Sequence, residues 1–82
     1  MKFMVEFRFK PGGKNDVLEA FELRGPNRNP GVTFRGAWVG NQSDVAFVLV
    51  ESGDEALVEK AAQSWVERGE CRITPVIDVE QI

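Results

Sequence analysis

The sequence predicts an α+β fold in which two helices cover one face of a four-stranded antiparallel sheet. Three features predict it: a first strand with strict alternation, a later segment that is apolar on both faces, and two helical segments that separate the strands. The chain has 82 residues, which suffice for one domain with a modest core. We therefore expect residues 1–82 to form a single domain.

The first strand is predicted over residues 2–10, where apolar and polar side chains alternate. The apolar set on one side is Phe3, Val5, Phe7 and Phe9. Aromatic and β-branched residues in alternation are typical of a strand with one buried face. A helix follows the Pro11-Gly12-Gly13 break, with Gly13 or Asn15 as its cap and Gly25 as its end. Its predicted inward residues are Val17, Leu18 and Phe21.

A loop at residues 24–31 leads to two further predicted strands, residues 32–40 and 44–51, joined by a turn at residues 41–43. The segment VAFVLV in the third strand is apolar on both faces, so this strand must lie centrally in a sheet that is covered on both sides. Ser52 and Glu55 have capping-box spacing and predict the start of a second helix, which Gly69 ends. The inward residues of that helix are Leu57, Val58, Ala61, Ala62 and Trp65.

The fourth strand is predicted over residues 70–79. Pro75 cannot donate a hydrogen bond to a neighbouring strand, which places this strand at an edge of the sheet. The resulting order, βαββαβ, is the ferredoxin-like pattern with the first and third strands at the centre.

One sheet face remains without helices. If the hairpin loop has an even number of residues, Phe34, Gly36 and Trp38 share a face with Val45, Phe47 and Leu49, and we expect this set under the helices with the aromatic side of the first strand. An odd loop exchanges the two hairpin sets. With an even loop, the opposite face carries Met4, Glu6, Arg8, Thr33, Arg35, Ala37, Val39, Ala46, Val48, Val50, Thr74 and Val76. Because its middle is apolar, we expect this face to pair with a second copy in a homodimer.

The amino-acid composition excludes several classes of function and several kinds of site. The net charge of −3 disfavours binding to nucleic acid or to an anionic membrane surface. The chain has no histidine and one cysteine, so the usual neutral-pH base, the histidine ligand of haem and a thiolate metal cluster are excluded. We expect no metal and no cofactor. The N-terminal residues lack the apolar core of a signal peptide and no apolar run is long enough to span a bilayer, so we expect a cytoplasmic protein.

Four stretches carry a family resemblance: KFMVEFRFKPG, GVTFRGAWVG, AFVLVES with EALVEKAAQSW, and ITPVIDVE. Together they resemble the small bacterial family called domain of unknown function 3303 over nearly the whole chain. The resemblance implies a ferredoxin-like member of the dimeric α/β-barrel group. That family has no established activity, so no functional residue is implied. Its members often carry a polar residue or histidine after the second-strand tryptophan, where this chain has Val39.

The fragments GVTFR and WVGN are also similar to motifs of acylphosphatases. In that family a helix separates the two motifs, whereas here they lie three residues apart in one extended stretch. Arg35 and Asn41 therefore cannot form that phosphate site, and we interpret the stretch as a hairpin.

Two functions stay open. The first is a homodimer that binds a small molecule or a protein partner without catalysis. The second is a cofactor-independent monooxygenase or isomerase of the dimeric α/β-barrel type. The candidate ligand-binding residues are Glu6, Arg8, Arg35 and Trp38, and no catalytic residue is assigned. The lack of histidine and tyrosine favours binding.

Overall fold

The computed structural model describes residues 1–24 and 30–81. Over these residues the elements are β1 (Lys2–Phe9), α1 (Lys14–Arg24), β2 (Val32–Val39), β3 (Val45–Ser52), α2 (Glu55–Gln63), β4 (Gly69–Val76) and a 3₁₀ turn at Val79–Gln81. The predicted ferredoxin-like α+β fold is confirmed. The predicted end of the first helix at Gly25, and most of the predicted loop, lie outside the described residues.

The four strands form one antiparallel sheet in the order β2-β3-β1-β4. The two-sided apolar strand β3 lies inside the sheet and β4, with Pro75, lies at an edge, as the sequence predicts. Phe7 of β1 is opposite Ala46 on one side and Cys71 on the other. Across the hairpin, Trp38 is opposite Phe47.

The core lies between the helices and one face of the sheet. One buried cluster consists of Phe3, Val32, Val50 and Val58. A second consists of Phe7, Phe9 and Val17. Since Val17 belongs to α1 and Val58 to α2, both helices cover the same face. Leu18, predicted to face the sheet, is instead 42% exposed, whereas Ala20 of α1 is buried.

The predicted partition of the hairpin between the two faces is wrong. Gly36 and Trp38 do share a face with Phe47 and Leu49, but that face is the one without helices. Cross-strand neighbours share a face, and Phe3 is opposite Val50, so the other set of β3 lies under the helices. That set is Ala46, Val48 and Val50, together with Ala37 and Val39 of β2. Because β3 is apolar on both sides, its hydrophobic pattern cannot distinguish the two alternatives.

A β-bulge in β2 divides the strand into two parts. Phe34 is opposite Val50 and Gly36 is opposite Leu49, so Arg35 is the extra residue. Phe34 therefore faces the helices, while Gly36 and Trp38 face the other way. Without the bulge, strict alternation would place Phe34 and Trp38 on one face, which is what the sequence predicted.

Both ends of α2 and the end of β4 also differ from the prediction. The N-cap of α2 is Asp54, whose side chain accepts a hydrogen bond from the backbone N–H of Ala56 at 2.9 Å. Ser52 is the buried last residue of β3, and its hydroxyl accepts from the N–H of Asp54. At the other end, α2 stops at Gln63, and Gly69 begins β4. The predicted fourth strand is shorter than expected, because it ends at Val76.

Candidate functional site

The open face, the side of the sheet opposite the helices, has an apolar middle. We define its open-face patch as Met4, Trp38, Val45, Phe47 and Leu49. These side chains are neighbours across three strands, because Trp38 is opposite Phe47 and Met4 is opposite Leu49. Trp38 is 56% exposed, and the other four are partly exposed. Monomeric proteins rarely leave a contiguous aromatic and aliphatic surface of this kind in water.

Gly36 lets the tryptophan lie flat on the sheet. A Cβ built on Gly36 would come within 2.9 Å of the outer edge of the Trp38 ring, so the indole lies across the glycine backbone. The Arg35 bulge sets this arrangement by turning both residues to the open face. The result is a broad aromatic surface at the β2 edge.

The four predicted ligand-binding residues all lie on the open face. Trp38 belongs to the open-face patch. Arg35 is at a corner, where its Nε donates a hydrogen bond to Glu51 Oε1 at 2.7 Å. Glu6 and Arg8 are successive open-face residues of β1 and form an ion pair, with Arg8 Nε 3.5 Å from Glu6 Oε2. These residues do not converge on one point, because Arg35 lies on the opposite edge of the patch from Arg8.

Glu6 and Arg8 belong to an alternating set of charges. Arg72 is opposite Glu6, and Glu70 is opposite Arg8, on the neighbouring strand β4. A depression of about 360 Å³ is lined by these four residues and by Cys71. Each charge has an opposite charge as its cross-strand neighbour, so the group is neutral as a whole. Such a group fits the polar rim of an interface better than a site that selects one sign of ligand charge.

A separate pocket of about 110 Å³ lies between the sheet and the two helices, which we call the inner pocket. It is half open to the surface. Its described lining is Val5, Phe7, Val17, Phe21, Val32, Phe34, Ala46, Val48, Val50, Val58, Ala61, Ala62, Trp65 and Cys71. None of the four predicted ligand-binding residues is among them. Every strand and both helices contribute at least one side chain.

Cys71 supplies the thiol of the inner pocket. Its sulfur lies 3.8 Å from the carbonyl oxygen of Ala62, to which it donates a weak hydrogen bond. Partial burial disfavours the thiolate and raises the pKa of Cys71 above its ordinary value of 9.0. At neutral pH the group is therefore a thiol and a poor nucleophile.

Sequence reasoning did not find the inner pocket. The signal was present in three small residues at inward positions, Ala46, Ala61 and Ala62, surrounded by aromatic rings. Which small residues meet between the sheet and α2 depends on which face of β3 lies under the helices, and that face was predicted wrongly. In residues 1–24 and 30–81, no helix is long and apolar enough to cross a bilayer, and no group of three acidic, cysteine or histidine side chains is placed to hold a metal ion.

Comparison with curated proteins gives no match, and comparison with solved structures gives none either. A family model does match, and it covers residues 1–82. The match agrees with the segments that carry the sequence resemblance, from the first strand to the ITPVIDVE terminus. The chain therefore belongs to the family described as a domain of unknown function, DUF3303.

Proposed function

We propose that the protein is a non-catalytic binding protein that acts as a homodimer, in which two copies pair through their open faces and each copy holds a small molecule. The observation that carries the proposal is the open-face patch, with Trp38 at 56% exposure at its edge. Burying apolar surface contributes about 25 cal/mol per Å², so covering this patch stabilises a small domain substantially.

A second copy is the partner that fits the size and charge of this face. Strands of 8 residues span about 26 Å, and four strands at about 4.8 Å spacing give a footprint of roughly 500 Å² per copy. Two such faces together reach about 1,000 Å², the lower bound for a specific interface. The charged groups beside the patch include both signs, which suits pairing of identical surfaces.

The charged candidates favour binding over catalysis. Arg8 and Arg35 each pair with a carboxylate, and both pairs lie on the partly exposed open face. An acid–base enzyme of the dimeric α/β-barrel type needs titratable groups inside a closed site. The described lining of the inner pocket offers only the Cys71 thiol for that role. A single cysteine also suits a reducing compartment, and we place the homodimer in the cytoplasm.

Sedimentation velocity at micromolar concentrations tests the homodimer. We expect the wild-type chain to sediment as a dimer and Trp38→Arg to sediment as a monomer, because the substitution removes the large exposed ring of the open-face patch and puts a charge in its place. Val66→Arg is the matched control: Val66 is 59% exposed but lies in the turn after α2, away from the open face. A wild-type chain that stays monomeric at tens of micromolar contradicts the proposal, as does loss of the dimer in both variants.

A further inference from the structure

The inner pocket is the feature of this chain that the homodimer leaves unexplained. It lies on the side of the sheet opposite the open face, so pairing of open faces does not fill it. Its volume of about 110 Å³ exceeds the roughly 30 Å³ that one water molecule occupies in the liquid. Protein interiors otherwise have few gaps larger than a water molecule.

The pocket exists because small side chains occupy inward positions where large ones would close it. Ala46 lies on the sheet floor opposite Phe7, and Ala61 and Ala62 approach from α2. The surrounding rings hold these elements apart: Phe7 packs on Trp65 with ring centroids 5.7 Å apart, and Phe21 packs on Phe34 at the same distance. The pocket is therefore framed by aromatic contacts on two sides.

From this geometry we infer that the inner pocket binds a small, uncharged, apolar molecule about the size of one aromatic ring. The inference rests on the proposed binding function but requires only one chain. Apolar cavities of about 150 Å³ lined by leucine, isoleucine and phenylalanine bind benzene or xenon. The inner pocket is slightly smaller, has comparable walls and is half open, which gives a ligand access.

The same lining rejects charged ligands. Among the described residues that line the pocket, none is charged, and the polar groups are the Cys71 thiol and the Trp65 indole. A carboxylate or ammonium that entered would lose its hydration without gaining an ion partner, at a cost far above that of a neutral ring. The pocket is therefore expected to bind benzene and not benzoate, although the two compounds have the same ring.

Modification of Cys71 by a thiol reagent reports occupancy, because Cys71 lines the pocket. At a benzene concentration ten times its dissociation constant, we expect the reaction to slow about tenfold and the melting temperature to rise. Benzoate at the same concentration is expected to change neither. Equal effects of both compounds, or an effect of neither, would overturn the inference; the second result means that the chain's own side chains fill the space.

A filling variant and a matched control connect the effect to the pocket. Ala61→Leu places a larger side chain in the pocket and is expected to abolish the protection by benzene. Ala56→Leu makes the same change at an exposed position of the same helix and is expected to keep it. Protection that survives in Ala61→Leu, or disappears in both variants, would overturn the assignment.

Two further measurements keep the result independent of folding and of assembly. In the wild-type chain, dissolved xenon is expected to shift the methyl resonances of Val48 and Val58, and not those of exposed Val66 or Val79. In Trp38→Arg, benzene protection is expected to persist although the dimer is lost. A monomeric wild type that still shows protection disproves the homodimer alone, whereas a dimer without protection or xenon shifts disproves the pocket alone.

Discussion

The two faces of the sheet are built from the same central strands but end in different environments. On the covered face, Phe3, Phe7 and Phe9 are at most 5% exposed, because α1 and α2 pack over them. On the open face, Phe47 and Leu49 remain partly exposed and Trp38 is 56% exposed. Strand β3 supplies apolar residues to both faces. Both helices of the described residues lie on one face, and the other face is the one through which we propose that two copies pair.

The largest expected effect comes from Phe3, buried on the covered face at 1% exposure. Phe3→Ala should lower the free energy of unfolding by about 3–5 kcal/mol, since it leaves a cavity among Val32, Val50 and Val58. The loss should be the same at every protein concentration. Urea denaturation followed by circular dichroism measures it.

Phe47→Ala is the matched change on the open face. We expect a smaller loss of stability that grows with protein concentration, because the proposed wild-type dimer would gain stability by mass action and the variant would not. Urea midpoints at two concentrations a hundredfold apart measure the difference. If Phe47→Ala and Phe3→Ala showed the same loss at both concentrations, the contrast between the two faces would be wrong.

The N-cap of α2 should contribute less to the free energy of unfolding than the buried and open-face aromatic residues do. Asp54→Ala removes the acceptor of the Ala56 N–H and should cost about 1 kcal/mol of unfolding free energy. Glu59→Ala, an exposed change within the same helix, should stay within about 0.5 kcal/mol of the wild type. A loss in Asp54→Ala no larger than that in Glu59→Ala would contradict Asp54 as the N-cap of the helix.

The ion pair of Arg35 and Glu51, at the corner of the open face, should contribute still less to the free energy of unfolding. Its side chains are 51% and 32% exposed, so Arg35→Ala should cost about 0.2–1 kcal/mol, with the difference shrinking in high salt. Denaturation at low and high ionic strength measures it. A loss well above 1 kcal/mol that salt does not reduce would mean that Arg35 acts through the bulge and not through its charge.

Ionisation of the Cys71 thiol should have no effect on the free energy of unfolding at neutral pH. Its pKa is raised in the folded chain, so both states hold the thiol proton below pH 9.0, and the unfolded chain loses it first as the pH rises. Stability from this group is therefore lost between the unfolded and the folded pKa, above pH 9.0. We expect the wild type to lose more stability than Cys71→Ala from pH 8 to 11. Parallel losses in the two proteins would contradict the burial of the thiol.

Sequence reasoning found the strand order but assigned the hairpin side chains to the wrong faces. Alternation in β1, the apolar third strand and Pro75 each restrict position in the sheet, and all three predictions were confirmed. The same property that places β3 at the centre, apolar residues on both sides, makes its register ambiguous, because a shift by one residue buries a similar set. The bulge at Arg35 sends Phe34 and Trp38 to opposite faces, and an assumption of strict alternation misses it.

The sequence identified one candidate site residue, Trp38, but not the inner pocket, because the pocket depends on how the strands pair. Trp38 was named from its chemistry, and it is exposed on the face where association is proposed. Capping-box spacing at Ser52 and Glu55 was misleading, because β3 continues through Ser52 and Asp54 takes the cap. The inner pocket depends on which small residues face each other in three dimensions, and that follows only from the register.

Pairing through the open face is tested most directly by isotope-filtered NOE spectroscopy on an equal mixture of labelled and unlabelled wild-type chains. We predict cross-chain NOEs between the Trp38 ring of one copy and methyl groups of Met4, Val45 or Leu49 of the other. Spectra with no cross-chain NOEs, or with such NOEs only at helix residues such as Leu18, would contradict the account.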